Sequence, residues 1–346
     1  MTDQTLSTRP SPEAIAARSV LLGRARWGWP EIAFWAIAVA LYFLMPTKLM
    51  LLSEIAILGL LALSIDLVLG FAGIVTLGQG AFFGIGAYTA GLLARYGMGE
   101  APWSDPLLGL LVAGGVAAVL GFVTSFLVLR GSDLTRLMVT LGVALIVEEL
   151  VNQMKWLTGG SDGLQGVLPS AVMGIWEFDL YGKTAYVYSL SVLFVLFVIA
   201  RRIVKSPFGL SLLAIKGNPL RTRAIGMPVN GRLVLIYTIA AFYAGVAGGL
   251  VAQTTQFASP DYVAFHRSAD ALLMLVFGGA GHLYGGLIGS VIFRVMQDVL
   301  GNITPQYWQF WLGLMLVLLV LFIRGGIIGL LVKMRDRMMR RKGPSA

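Results

Sequence analysis

The side chains that could do covalent or acid–base chemistry are few and widely separated in this chain. His266 and His282 are the two histidines; they fall in different predicted loops and lack the spacing of paired metal ligands on a helix. The absence of cysteine excludes disulfides, cysteine-ligated metals and thiol catalysis. Residues 182–184 read Gly-Lys-Thr, but Glu177 stands where a nucleotide-binding P-loop requires glycine. The sequence therefore predicts no enzyme activity, no metal site and no ATP hydrolysis by this chain.

Two glycine-rich segments, 73–86 and 278–289, occupy corresponding positions in the two halves of the chain. Such paired interruptions favour a transport pathway, because freed backbone amides and helix ends at membrane depth bind charged groups of small solutes. The alternative is close helix packing through small residues four apart, such as Gly80 and Gly84. Packing is the favoured interpretation of any single glycine, whereas the polar and aromatic neighbours favour a pathway. The residues predicted to line it are Thr76, Gly78, Gln79, Gly80, Phe82, Phe83, Tyr88, Glu148 and Asn152.

Several charged residues fall inside predicted membrane spans: Glu54, Asp66, Glu148, Glu149, Arg294 and Asp298. A charge at the centre of a membrane helix costs roughly 2.5–3.5 kcal/mol on insertion scales, so these side chains are not expected to face lipid. Arg294 and Asp298 are four residues apart and are predicted to neutralise each other. Asp66 lies one turn before Gly70 and is predicted to cap or brace the glycine-rich segment. For these charged residues, a structural role in holding helices together and a role in lining the pathway remain equal alternatives.

A basic stretch, residues 201–232, contains seven Lys or Arg residues and no acid. Such loops between membrane spans stay in the cytoplasm, because Lys and Arg resist translocation. Asn218 is predicted to cap a short helix that begins at Pro219, continues to about Ile225 and is ended by Gly226. A capped helix beneath a membrane domain is a surface for a soluble partner. The alternative is a solvated loop that only sets topology.

The composition is that of a protein with many membrane spans. The chain has 346 residues, of which 57% are hydrophobic and 12% charged, and its net charge is +9. The basic residues flank apolar segments, so they indicate topology and contacts with membrane lipid rather than nucleic-acid binding. We predict a cytoplasmic N-terminal segment at 1–30, a transmembrane permease domain at 31–332 and a basic cytoplasmic tail at 333–346.

The predicted fold is all-α and polytopic, with about ten membrane crossings and both termini in the cytoplasm. Pro207–Gly209 is predicted to form a turn. The net acidic loops are placed outside and the strongly basic ones inside, which requires an odd number of crossings after residue 257. The piece at 269–281 is therefore predicted to be a separate short or re-entrant helix. The predicted crossings are 27–45, 49–70, 70–97, 107–129, 134–154, 184–204, 233–256, 269–281, 283–300 and 306–323.

Several motifs resemble a known family. They are LGQGAFFGIGAYTAGLL at 77–93, GGSDGL at 159–164, SPFGLSLLAIKGNPLRTRAIGMPV at 206–229 and GGAGHLYGGLIGSVI at 278–292. Together they resemble the LivM-type permeases of branched-chain amino-acid ABC transporters over about residues 50–332. The motifs are specific to the superfamily, whose other members move urea, small amides or aromatic acids. Family permeases usually have histidine where this chain has Gln79.

The resemblance implies a permease subunit in a bacterial inner membrane. Its expected partners are a LivH-like permease, two cytoplasmic ATPases that use ATP and magnesium, and a periplasmic binding protein. This chain would bind no cofactor itself. The resemblance also implies an ATPase-coupling helix formed by Gly217, Asn218, Pro219, Leu220, Arg221, Ala224, Ile225 and Gly226. A secondary transporter, a passive channel and, least favoured, a membrane enzyme are the alternative classes.

Overall fold

The structure is a computed structural model that describes residues 28–96, 105–131, 133–172, 174, 176–179, 181–303, 305–322 and 326–330. The predicted N-terminal segment, apart from residues 28–30, and the basic tail lie outside these ranges. The helices are α1 Trp29–Leu44, α2 Leu49–Ile65, α3 Gln79–Tyr96, α4 Pro106–Val128, α5 Asp133–Gln153, α6 Lys155–Thr158, α7 Lys183–Lys205, α8 Pro207–Gly217, α9 Pro219–Ala224, α10 Val229–Thr255, α11 Phe265–Gly278, α12 Leu283–Ile303 and α13 Trp308–Phe322. A π-helical turn, Asp66–Phe71, continues α2. The described residues form no β-strand, which confirms the all-α prediction.

Long apolar helices confirm that the fold is a polytopic membrane domain. In the described ranges, five segments are long and apolar enough to cross a membrane: Pro46–Phe71, Pro106–Val128, Lys183–Lys205, Val229–Thr255 and Leu283–Ile303. At 1.5 Å per residue, even the shortest of them spans about 31 Å, which matches the hydrocarbon thickness of a bilayer. The number of crossings and the side on which the termini lie stay predictions.

The predicted short piece near 269–281 is a separate helix. It is α11, which begins at Phe265 and is only 14 residues long. A sharp glycine turn follows, in which Gly279 and Gly281 have positive φ values of 111° and 85°. α12 then packs back along α11, with Gly289 beside the backbone of Met274. A 14-residue helix covers about 21 Å, so the backbone before it must supply the rest of any crossing.

Glycines bring α10 very close to α3. A Cβ on Gly86 would overlap the backbone of Gly245, and one on Gly248 would overlap the carbonyl of Phe83. Helices in a membrane associate through van der Waals contact, which small residues at the interface strengthen. These positions therefore support the packing interpretation of the individual glycines.

The predicted turn at Pro207–Gly209 is wrong, because these residues form the first turn of α8. Ser206 is extended and its hydroxyl accepts a hydrogen bond from the Gly209 amide at 3.4 Å. Proline is favoured at the first position of a helix, where its missing N–H costs nothing. The pair Ser206-Pro207 therefore starts a capped helix here instead of a turn.

The predicted ion pair between Arg294 and Asp298 is also wrong. Arg294 forms its ion pair with Glu54 of α2, and Asp298 lies 3.9 Å from Lys48. The reason is that α2 and α12 pack side by side, as the contact of Gly59 with Leu287 shows. This packing offers Arg294 an acid on the neighbouring helix.

Candidate functional site

The short helix predicted after Asn218 is present as α9. The side chain of Asn218 accepts a hydrogen bond from the Arg221 amide at 3.0 Å, and Pro219 is the first helical residue. The helix ends at Ala224, one residue before the predicted end, and Gly226 has a positive φ of 84°. The predicted N-cap and the glycine stop are therefore confirmed.

One side of α9 is held by the protein and the other is open. Thr222 is buried and donates a hydrogen bond to the Asn218 carbonyl at 2.9 Å. Leu220 and Ile225, by contrast, are 74% and 71% exposed. Leu220 on this short, capped helix and Ile225 directly after it form an apolar surface suited to a protein partner.

The backbone between the π-helical turn and α3 is irregular, and its amides are satisfied by one of its own hydroxyl groups and by hydroxyl groups from two other helices. Leu77 donates to Thr140 of α5 at 3.2 Å, and Gly78 donates to Thr76 at 3.2 Å. The Gly80 amide donates to the hydroxyl of Ser268 in α11 at 2.7 Å. Irregular backbone at membrane depth requires such enclosure by protein.

The N-termini of α3 and α11 meet at this point. A Cβ on Gly80 would lie within 3.3 Å of the Ala264 carbonyl, just before α11 begins. Phe82 stacks edge-on against Tyr237 with ring centroids 5.7 Å apart. Tyr237 is eight residues into α10, or about 12 Å along it, so the meeting point lies inside the membrane domain. Two helix N-termini together provide a positive potential suited to an anionic group.

Gln79 is the unusual residue of this cluster. Its side chain is 0% exposed, and neither its amide nitrogen nor its amide oxygen has a hydrogen-bond partner among the described residues. A buried polar group left without a partner costs roughly 1–3 kcal/mol. An amide that both donates and accepts, placed at the start of α3, is therefore a candidate for contact with a bound solute.

Opposite charges flank Ser268 on α11. Arg267 and Asp270 are each partly buried, and the two side chains attract each other. The Arg267 guanidinium lies 5.6 Å from the ring centroid of Tyr262, whose ring in turn contacts that of Phe83 at 5.8 Å. Thr140, Tyr237 and these α11 residues could not be predicted from the sequence, because only the fold brings them beside 76–83.

The structure does not bring all predicted pathway residues together. Thr76, Gly78, Gln79, Gly80, Phe82, Phe83 and Tyr88 are buried on or beside α3. Glu148 and Asn152 lie on α5, eight and twelve residues beyond Thr140, or about 12 and 18 Å along the helix. They are only partly buried, and the neighbouring Glu149 is exposed. The chain therefore presents one buried polar cluster and one separate acidic helix face.

A polar junction connects the basic stretch to the π-helical turn and to the second glycine-rich segment. Asp66 is fully buried and accepts a hydrogen bond from the Gly281 amide at 2.7 Å. Asp66 thus braces the second glycine-rich segment, whereas the sequence predicted that it would cap or brace the segment that follows it. The Lys216 ammonium donates to the Gly70 carbonyl at 2.6 Å. No group of three or more metal-ligating side chains occurs in the part of the chain that the structure describes.

The chain is similar to permease proteins of known transport systems. Residues 47–322 match the family described as branched-chain amino acid transport system / permease component. The high-affinity branched-chain amino acid transport system permease protein LivM of Escherichia coli is 29% identical over 292 residues, covering 78% of this chain and 67% of that protein. LivM of Salmonella typhimurium is 30% identical over 293 residues, with the same coverage. The fructose import permease protein FrcC of Rhizobium meliloti is 25% identical over 303 residues, covering 84% and 81%. No solved structure gives a significant match.

Proposed function

Since the chain belongs to the family of branched-chain amino acid transport system permease components, we propose that it is the membrane-spanning subunit of an ATP-driven importer of branched-chain or related small amino acids. It lies in the bacterial inner membrane with both termini in the cytoplasm. The observation that carries the ATP-driven assignment is α9, a capped helix with exposed Leu220 and Ile225 within the basic stretch. A secondary transporter or a channel has no use for such a helix.

The coupling site is formed by the residues from Gly217 to Gly226 on this open face. Two cytoplasmic ATPases bind below the membrane domain, hold ATP and magnesium, and receive α9 in a groove of one of them. Closure of the ATPases on ATP moves α8 and α9 together, and the pathway then changes the side to which it opens. This chain needs no cofactor for that role.

A LivH-like permease is the partner within the membrane, and α5 supports this assignment. The exposed residues of α5 include apolar side chains such as Leu145 and Ile146 together with the acid Glu149. An acid on a lipid-facing surface is expensive, so this face is better explained by a second permease and an aqueous path between the two. Glu148 and Asn152 then line the outer part of that path, and a periplasmic binding protein delivers solute to it.

An amino-acid substrate is favoured by the charges around the meeting helix N-termini. A zwitterion carries a carboxylate and an ammonium group, and Arg267 and Asp270 offer a partner for each beside Ser268. The unpartnered amide of Gln79 suits either group. A sugar would need no such pair of opposite charges. Urea, small amides and aromatic acids, or a sugar as for the FrcC protein, are the alternative substrates.

The test is ATP-dependent uptake by the complete complex in vesicles. The chain is co-expressed with its neighbouring permease and ATPases, and uptake of labelled leucine is measured with the binding protein present. Urea, an aromatic acid, fructose and other amino acids serve as competitors. Uptake that needs ATP and yields only to aliphatic amino acids is the expected result. Competition by fructose or urea alone would change the substrate assignment. Uptake that does not require ATP would refute the ATP-driven assignment.

A single substitution tests the coupling helix separately. Arg221→Glu reverses a charge on the exposed side of α9 without removing the Asn218 cap, which uses the Arg221 backbone amide. We expect the variant to lose the ATPases during purification while the two permeases stay together. Retention of the ATPases at the wild-type ratio would contradict the assignment of α9.

A further inference from the structure

Lys216 occupies a position that no other residue of the basic stretch shares. It lies near the end of α8, two residues before the cap of α9. Its ammonium group donates to the carbonyl of Gly70 at 2.6 Å, across 146 residues of sequence. The side chain therefore reaches from the end of α8, next to the proposed coupling helix α9, to the π-helical turn.

The π-helical turn meets the second glycine-rich segment at the point that Lys216 reaches. Gly70 lies so close to Asp66 and to the Gly281 amide that a Cβ there would overlap both. Gly73, with a positive φ of 75°, lies against the aliphatic stem of Lys216, and a Cβ on it would approach that stem to 2.9 Å. One lysine side chain thus touches the π-helical turn at Gly70 and the first segment at Gly73, and the turn touches the second segment through Asp66.

The hydrogen bond between Lys216 and Gly70 is of a kind that can hold α8 to the π-helical turn. The end of a helical turn leaves carbonyl groups without partners, and an ammonium group satisfies one of them through a charge-assisted hydrogen bond. The positive charge of Lys216 also acts on the buried carboxylate of Asp66. Apolar packing of Leu212 and Ile215 also holds α8 against the protein.

We propose that Lys216 is the positioning residue through which movement of α9 reaches both glycine-rich segments. This inference rests on the proposed function. When the ATPases displace α8 and α9, the bond from Lys216 to Gly70 moves the π-helical turn, and Asp66 carries that displacement to the turn before α12. Loss of the lysine uncouples ATP hydrolysis from transport, while the ATPases and the second permease still bind.

The ratio of solute imported to ATP hydrolysed measures this connection directly. We compare the wild-type complex with Lys216→Met, Lys216→Arg and the control Arg130→Met, in the same vesicles and with binding protein present. Arg130 is an exposed cation at the end of α4, on the side predicted to be cytoplasmic. We expect Lys216→Met to lower the ratio about fivefold or more, the lower end of typical coupling between sites. Lys216→Arg should restore much of it, and Arg130→Met should match wild type.

A distance measurement gives an independent readout. The chain has no cysteine, so Ala214→Cys on α8 and Ala280→Cys in the glycine turn, both exposed positions, accept one spin label each. We expect the distance between the labels to stay constant when ATP binds to the wild-type complex and to change when it binds to the Lys216→Met complex.

Either of two results of the transport assay would overturn the proposal. The first is a wild-type ratio in Lys216→Met, and the second is an equal fall in Arg130→Met. If Lys216→Met assembles poorly, the spin-label distance in Lys216→Arg decides, since an unchanged distance supports the tie and a nucleotide-dependent one refutes it. A wild-type complex without ATP-dependent uptake refutes the proposed function itself, which is a different outcome from intact uptake with no effect at Lys216.

Discussion

The ion pair between Glu54 and Arg294 gives a prediction whose size follows from its position. Glu54 is in the span that includes α2, and Arg294 is the twelfth residue of α12. The guanidinium also donates to Gln297 at 3.0 Å. The Glu54 side chain is 35% exposed and the Arg294 side chain 24%, so most of each lies against other parts of the protein. Each charge depends on the other for its only ion pair among the described residues.

Arg294→Gln leaves Glu54 without its counter-charge inside the membrane domain. Breaking a fully buried pair from one side costs about 3–5 kcal/mol, and a lone charge at a membrane helix centre costs roughly 2.5–3.5 kcal/mol. Because about a third of Glu54 is exposed, we expect a cost at or just below the lower end of these ranges, about 2–3 kcal/mol of unfolding free energy. Glu54→Gln should cost a similar amount. The double variant keeps two uncharged amides and should cost less than about 1 kcal/mol.

The assay is a double-mutant cycle on the unfolding of the chain in lipid–detergent micelles. Asp298→Asn is the control, since the helical spacing alone would pair Asp298 with Arg294 whereas the structure places it 3.9 Å from the exposed Lys48. We expect this control to change stability by no more than about 0.5 kcal/mol. Additive single substitutions, or a control as damaging as Arg294→Gln, would refute the interhelical pairing.

Three further predictions concern the packing, the coupling helix and the buried cluster. Gly86→Val should lower the thermal midpoint strongly, because a side chain there overlaps the Gly245 backbone and overpacking costs about 1–3 kcal/mol or more. Gly115→Ala on the neighbouring helix α4 should be neutral, because nothing lies within 4 Å of the added carbon. Equal thermal midpoints for the Gly86 and Gly115 variants would contradict the close packing of α3 on α10. Asn218→Ala should weaken ATPase co-purification because a lost cap costs about 0.5–2 kcal/mol, whereas Asn218→Asp should retain it; the two variants behaving alike would exclude the cap. Gln79→Leu should reduce leucine uptake at least tenfold while stability holds or rises, since the unpartnered amide costs roughly 1–3 kcal/mol in the protein alone. Normal uptake with raised stability would make Gln79 a structural residue only.

Local features of the molecule could be predicted from the sequence. The cap at Asn218 and the stop at Gly226 depend on neighbouring residues and follow from their types. The all-α fold follows from the long apolar segments. The turn expected at Pro207 failed because a proline after serine suits both a turn and a helix start, and only the packing of α8 decides between them.

The non-local features could not be predicted in this way. Arg294 had a plausible partner one turn away, but its actual partner Glu54 is 240 residues distant. The surroundings of Gln79 depend on Thr140 and Ser268, which no spacing rule connects with it. Its glycine neighbours suggested a pathway, yet their individual roles are close helix contacts that become apparent only beside α10.

The hydroxyl groups that satisfy residues 77–80 have a consequence for the biogenesis of the protein. The Leu77 amide is paired with a side chain 63 residues later, and the Gly80 amide with one 188 residues later. A nascent chain therefore enters the bilayer with these amides still lacking their final partners, and unpaired backbone does not remain in contact with lipid. This segment must stay with the insertion machinery or with water until α5 and then α11 arrive. Assembly of the domain's centre is consequently one of the last events of its synthesis, and a chain truncated before Ser268 would leave that centre open.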